Sequence, residues 1–157
     1  MKTTLLLVGK TTSKPLGQLI DDYVGRLKHY LSFDIEVVPE LKNARSLDFE
    51  QQKQKEGIDI LNRIKPSDFV VLLDERGTQF RSVDFAHYIE KQQHRSCGRV
   101  VYIIGGPYGF SDAVYSRADD KISLSSMTFS HQMIRLFFVE QLYRAHTIIN
   151  NQPYHHE

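Results

Sequence analysis

The chain has 157 residues, 41% of them hydrophobic and 25% charged, with a formal net charge of +1. That length fits one domain able to bury roughly 70% of its unfolded surface, so neither a disulfide nor a metal is needed for folding. Cys97 is the only cysteine, which excludes an internal disulfide and a CxxC metal site, and the near-zero charge excludes a bulk basic field. A local basic patch would still suffice for nucleic acid.

The opening MKTTLLLVGK has too short an apolar core for a secretory signal. Residues 3–9 (TTLLLVG) are an apolar run closed by glycine and are expected to form a buried strand. Pro15 opens a helix in which Leu16, Leu19, Ile20, Tyr23, Leu27 and Tyr30 share one face. FDIEVVP (33–39) alternates and stops at proline, as a strand would. A polar loop (40–46) leads to a helix over 47–64, with Ile58, Leu61 and Ile64 on its apolar side and QQKQKE (51–56) as its solvated face.

DFVVLLD (68–74) reads as a second apolar strand, ERGTQF (75–80) as a turn-rich loop, and SVDFAHYIEKQQ (82–93) as a helix capped by Ser82. RVVYIIGG (99–106) is a third apolar strand, followed by PYGFS (107–111) and a short helix near 112–118. KISLSSMTFSHQ (121–132) holds a short strand and a loop of small residues, and the last helix runs from about 130 to 150. Arg135, Glu140 and Arg144 interrupt this longest apolar region and argue against a membrane span. A soluble cytoplasmic protein is expected. Helices alternating with strands apolar on both faces predict one α/β domain, 1–157, with a mostly parallel sheet flanked by helices.

In open α/β sheets, ligands bind at the carboxyl ends of strands. Three segments fall there: Leu73-Asp74-Glu75, the run Gly105-Gly106-Pro107-Tyr108-Gly109, and Leu124 through Phe129. The glycine run is neither GxGxxG nor a Lys-Ser/Thr phosphate loop. It is a tight turn or a place where backbone approaches a flat ligand closely. SLSSMTFSHQ combines small hydroxyl residues with Met127 and Phe129; it is a helix start capped by Ser130 or a purine-like site. The last helix is apolar nearly all round, which predicts a homodimer packed through it. Arg135 and Arg144 within that surface are each ion-paired or turned toward a site.

The segments LLDERG, IGGPYG, LSSMTFSHQMIR, EQLYRAHTI and PYHHE, in this order, resemble the RlmH family of ribosomal large subunit methyltransferases, within the SPOUT (α/β-knot) superfamily. The resemblance covers essentially the whole chain. It implies a carboxyl-terminal deep trefoil knot, which periodicity alone does not suggest. It also implies a homodimer and S-adenosylmethionine-dependent methylation of N3 of a pseudouridine in 23S rRNA of the assembled ribosome, without metal or membrane. By position, the cofactor slot takes Leu73, Gly105, Gly106, Leu124, Ser125, Ser126, Met127, Thr128 and Phe129. His155 is the candidate base or orienter. Tyr154 stacks on or hydrogen-bonds the target base. Arg144 stabilises the developing imide anion or holds phosphate, and Arg135 and His131 contact RNA. His131 has a helix-cap contact as its other reading. Thr78 and His156 stand where family members often carry lysine, and arginine or lysine. The tail IINNQPYHHE is expected to become ordered with substrate. The alternatives are a SPOUT-fold dimer that binds RNA without catalysis and a tRNA methyltransferase of the same superfamily.

Overall fold

A computed structural model describes residues 1–156. Strands β1 (Lys2–Val8), β2 (Ser32–Val38), β3 (Phe69–Gln79), β4 (Arg99–Ile104) and β5 (Asp120–Ser123) form a single sheet. Its order is β2-β1-β4-β3-β5, and all neighbours run parallel. Helices α1 (Lys14–Leu27), α3 (Ser82–Gln93) and α5 (Met133–Ile149) cover one face, and α2 (Phe49–Leu61) and α4 (Asp112–Arg117) the other. The strands are apolar on both sides because each side meets helices. Leu5 and Leu7 of β1 pack with Tyr102, Phe138 and Val139, whereas Leu6 and Val8 pack with Ile103, Ile60 and Val114. The expected α/β class with a parallel sheet is therefore observed.

Three local expectations are corrected. Residues 75–79 are not a loop: β3 continues through them and pairs again with β5 at Thr78 and Gln79, after a register shift beyond Leu73. Gly77 makes this possible, because any Cβ there would stand 2.5 Å from the Ile122 carbonyl carbon. Ser82 does not cap α3; Arg81 occupies the cap position, and the Ser82 hydroxyl donates to Gln141 Oε1 at 3.0 Å, tying α3 to α5. In α2, which starts at an Asp48–Gln51 capping box, Ile60 is buried and Ile58 is 59% exposed. Its inward face also carries Glu56 and Gly57, so the QQKQKE face is not wholly solvated.

Helix α5 is packed from several directions. The sheet covers one side, and α1 and α3 of the same chain pack along its flanks. Met133 is nonetheless 41% exposed and Leu136, Phe137, Ile148 and Ile149 are only half-buried, so part of the apolar circumference is not covered within the chain. Ser130 holds the entry to this helix, its hydroxyl accepting from Met133 N–H at 3.1 Å and its carbonyl from Ile134 N–H. At the far end, Asn151 adopts a left-handed φ of 54°. Gln152 N–H returns to Thr147 O at 2.8 Å, and the chain reverses before Pro153. No helix among the described residues is long and apolar enough to cross a membrane.

His146 is 1% exposed, stacks on Tyr30 and has no hydrogen-bond partner at Nε2. Burial lowers its pKa from 6.5 to about 4. The unfolded chain, with its ordinary histidine, is protonated first as pH falls. The stability tied to this group is complete above pH 6.5 and is lost progressively toward pH 4. Urea titrations should show wild type losing about 3 kcal/mol more than His146→Phe between pH 7 and 4. Equal losses would mean that the ring is not held neutral.

Candidate methyl-donor site and tail cluster

Because β4, β3 and β5 are neighbours, the three segments at their carboxyl side converge. They enclose a cavity of about 350 Å³, within the usual range of roughly 300–1,000 Å³ for small-molecule sites. Leu73, Gly105 and Gly106 line one part, and Leu124, Ser125, Met127, Thr128 and Phe129 another. Ser126 does not line it, since its hydroxyl accepts from Gln79 Nε2 at 2.8 Å.

The loop after β5 is shaped by its own hydroxyls. Ser123 Oγ donates to Ser125 O at 3.0 Å, and Ser125 Oγ accepts from Met127 N–H at 2.9 Å. Met127 is thereby left 76% exposed at the mouth. The glycine run is held from behind: Glu56, 7% exposed, accepts from Gly106 N–H. A Cβ on Gly106 would lie 2.7 Å from that carboxylate, and one on Gly105 2.9 Å from the Phe110 ring. Burial raises the Glu56 pKa, opposed by hydrogen bonds from Gln52 and Gly106.

At the mouth, Asp74 accepts from Tyr115 Oη and from Arg76 N–H at 2.8 Å, and Arg76 also donates to Tyr115 at 2.9 Å. Burial and the Asp74 contact raise the Tyr115 pKa, keeping it a neutral phenol. Asp74 is thus engaged, while Glu75 is an exposed carboxylate on the rim.

The candidate catalytic residues form a separate cluster. Arg144 Nη2 donates to Glu140 Oε1 at 2.6 Å, Arg144 Nη1 lies 3.1 Å from His155 Nδ1, and its guanidinium sits 4.7 Å from the Tyr154 ring centre. Tyr154 Oη donates to Glu140 at 2.9 Å and is 3.2 Å from Tyr23 Oη. Burial, Tyr23 and Glu140 together raise the Tyr154 pKa, so it remains protonated. The tail is therefore packed on α1 and α5 in the protein alone. None of Arg144, Tyr154 and His155 lines the cavity of its own protomer. Arg144 lies about 15 Å along α5 from Ile134, which does.

Arg135, expected to contact RNA, is fully buried. It donates to Val8 O at 2.8 Å, Thr11 Oγ1 at 3.1 Å and His131 O at 3.0 Å. It fastens α5 to the end of β1, so the surface role is corrected. His131 lines the cavity, and burial and Arg135 lower its pKa. It does not cap α5; that position is Gln132, whose side chain bonds Lys10 and Thr12.

Residues 1–155 match the family described as Predicted SPOUT methyltransferase. The chain belongs to the SPOUT methyltransferase family. Among its relatives, the protein called Ribosomal RNA large subunit methyltransferase H from Phocaeicola vulgatus is 62% identical over all of both chains. Proteins of the same name from Bacteroides fragilis and Christiangramia forsetii are 59% and 57% identical, covering 100% and 99% of both chains. Two solved structures share the fold. A probable methyltransferase from Bordetella pertussis has a TM-score of 0.54 at 11% identity, covering 92% of this chain and 94% of that one. A probable methylase family protein from Haemophilus influenzae has a TM-score of 0.54 at 13% identity, covering 95% and 66%.

As a SPOUT methyltransferase, the chain is an enzyme that handles a methyl donor, and the cavity is its candidate site. Several of its residues escaped sequence reasoning. Phe110 and Ile122 join the wall, and Glu56 braces it. Glu140 and Tyr23 organise the tail cluster of this SPOUT methyltransferase. Glu140 precedes Arg144 by one helical turn, a spacing that could have signalled the pair. Nothing local signals the Tyr23–Tyr154 contact across 131 residues.

Proposed function

We propose that this enzyme transfers a methyl group from S-adenosylmethionine to N3 of a pseudouridine in 23S rRNA of the assembled ribosome. The single observation that carries the reading is the cavity built by the cofactor segments, in a chain 62% identical over its full length to a relative named for large-subunit rRNA methylation. We further propose a homodimer through α5, and a deep trefoil knot made by its carboxyl-terminal third.

The cavity fits this cofactor chemically. It has neither a phosphate loop nor its lysine, and the cofactor has no phosphate. Leu73, Leu124 and Phe129 offer apolar walls to a purine, Gly105 and Gly106 offer backbone without side chains, and Glu75 offers a carboxylate to an ammonium group. When bound, the cofactor supplies a sulfonium-borne methyl group.

The tail residues act on the RNA base. Arginine has no acceptor, so in the contact between Arg144 Nη1 and His155 Nδ1 the guanidinium is the donor. In this geometry His155 positions Arg144, and Arg144 supplies positive charge to the imide as its N3 proton passes to solvent water. Tyr154, held neutral, packs against the target base. Because the tail and the cavity do not meet within one protomer, the tail of one copy would complete the cavity of the other.

The test incubates the protein with labelled cofactor and ribosomes lacking the modification, then maps the product by mass spectrometry. Label at N3 of a large-subunit pseudouridine is expected. Label on tRNA alone would favour the tRNA methyltransferase reading. RNA binding without calorimetric S-adenosylmethionine binding would favour a non-catalytic dimer.

A further inference from the structure

One exposed feature beside the cavity has no part in the chemistry above. Phe49, the first residue of α2, stacks on Tyr108 of the glycine run, with ring centres 4.1 Å apart and planes inclined by 21°. Both are open to solvent, Phe49 at 65% and Tyr108 at 40% exposure. Two large rings left exposed side by side form an apolar patch of the kind that marks interaction sites. Tyr108 also lines the methyl-donor cavity, and so does Lys53, one turn beyond Phe49 on α2. The pair thus stands at the mouth of the site.

The surrounding charges favour a polyanion. Lys42 and Arg45 lie exposed in the segment before α2, and neither forms an ion pair among the described residues. That segment reaches the glycine run, since Leu41 and Ala44 share a small cavity with Gly106 and Pro107. Of the nearby acids, Asp48 accepts from Gln51 N–H at 2.7 Å and Glu50 pairs with Lys53 at 3.2 Å, while Glu40 is an exposed carboxylate in the same segment. The stack sits on the α2 layer, across the sheet from α5.

We propose that Phe49 and Tyr108 form a stacking platform for an unpaired nucleobase of the RNA substrate, with Lys42 and Arg45 receiving the adjoining phosphates. Sequence-specific RNA recognition commonly uses aromatic faces and cations in this way. The inference rests on the proposed RNA substrate and adds a recognition surface on the catalytic protomer, next to the cavity. The base received is a neighbour of the target, since the methyl-transfer cluster lies elsewhere.

Phe49 does not line the cavity, so it separates RNA recognition from cofactor binding. Phe49→Ala should raise KM for ribosomes about 10- to 100-fold, with S-adenosylmethionine affinity by calorimetry and the melting temperature unchanged. Phe49→Tyr should behave as wild type. The chain contains no tryptophan, so Phe49→Trp places a single indole on the platform. Its fluorescence should be quenched by a short single-stranded RNA, and less so when Lys42 and Arg45 are both replaced by alanine. Weakened cofactor affinity in Phe49→Ala with unchanged KM for ribosomes would make the stack a cofactor wall and overturn the proposal. So would absence of quenching by RNA, or quenching by anionic lipid vesicles alone. The quenching assay needs no turnover, so failure of the platform and failure of the methyltransferase reading remain distinguishable.

Discussion

Replacing Arg144 with alanine is expected to lower methyl transfer to ribosomes about 10²- to 10³-fold, the usual loss when one charge-stabilising donor is removed. S-adenosylmethionine affinity should stay unchanged, because Arg144 does not line the cavity. The guanidinium has two jobs in the structure: it reaches His155 Nδ1 and is itself held by Glu140 at 2.6 Å. Arg144→Lys should recover only part of the rate, since a point ammonium cannot serve both partners in a fixed fork. Glu140→Gln tests the arrangement from the other side. It keeps an acceptor for Tyr154 but removes the charge that pins Arg144, so kcat should fall with KM for ribosomes nearly constant. Wild-type kcat in Arg144→Ala would remove the tail cluster from the chemistry. Loss of activity together with dissociation into monomers would make Arg144 an interface residue instead.

The second large effect is expected at Gly77. A methyl group there would meet the backbone of Ile122 at 2.5 Å, and backbone cannot rotate away as a side chain can. Gly77→Ala should destabilise the protein at or above the upper end of the roughly 1–3 kcal/mol typical of overpacking, measured by urea denaturation. The strain falls between β3 and β5 at the register shift that follows Leu73, and Leu73, Ile122 and Leu124 beside it line the cavity. Cofactor affinity should therefore fall with stability. Gly25, whose Cβ would meet nothing within 4 Å on α1, is the control. Gly25→Ala should leave both quantities unchanged or slightly raise stability. A stable Gly77→Ala protein with normal cofactor affinity would show that the edge pairing is softer than its geometry implies.

The strands were legible because a sheet buried on both faces demands unbroken apolar runs, as in LLLV, FVVLL and VVYII. The extension of β3 was not. ERGTQ carries a glycine and charged residues that read locally as a turn, and only the pairing with β5 makes it a strand. In α2, the outward Ile58 and inward Glu56 reverse simple hydrophobic phasing, because Glu56 has a backbone N–H of Gly106 to receive. The cavity was located through strand ends plus family resemblance, and eight of the nine predicted cofactor residues line it. Arg135 was misread because burial in the sequence pattern did not reveal the carbonyl of Val8 as its partner. Phe49 could not be flagged at all, since its stacking partner is Tyr108, far along the chain.

The fastening of α5 to the end of β1 sets the order in which the enzyme becomes competent. Arg135 and Val8 are 127 residues apart, and Thr12 and Gln132 meet across 120. Contacts of such long sequence separation form late, because the closing loop's entropy is lost before the contact returns any stabilisation. During vectorial synthesis the first four strands can assemble while β5 and α5 are still missing. His131, Ile134 and the loop after β5 belong to that last segment, so one wall of the cavity arrives only with it. A nascent chain has most of the sheet and no methyl-donor pocket, and catalytic competence begins only after the final helix has seated.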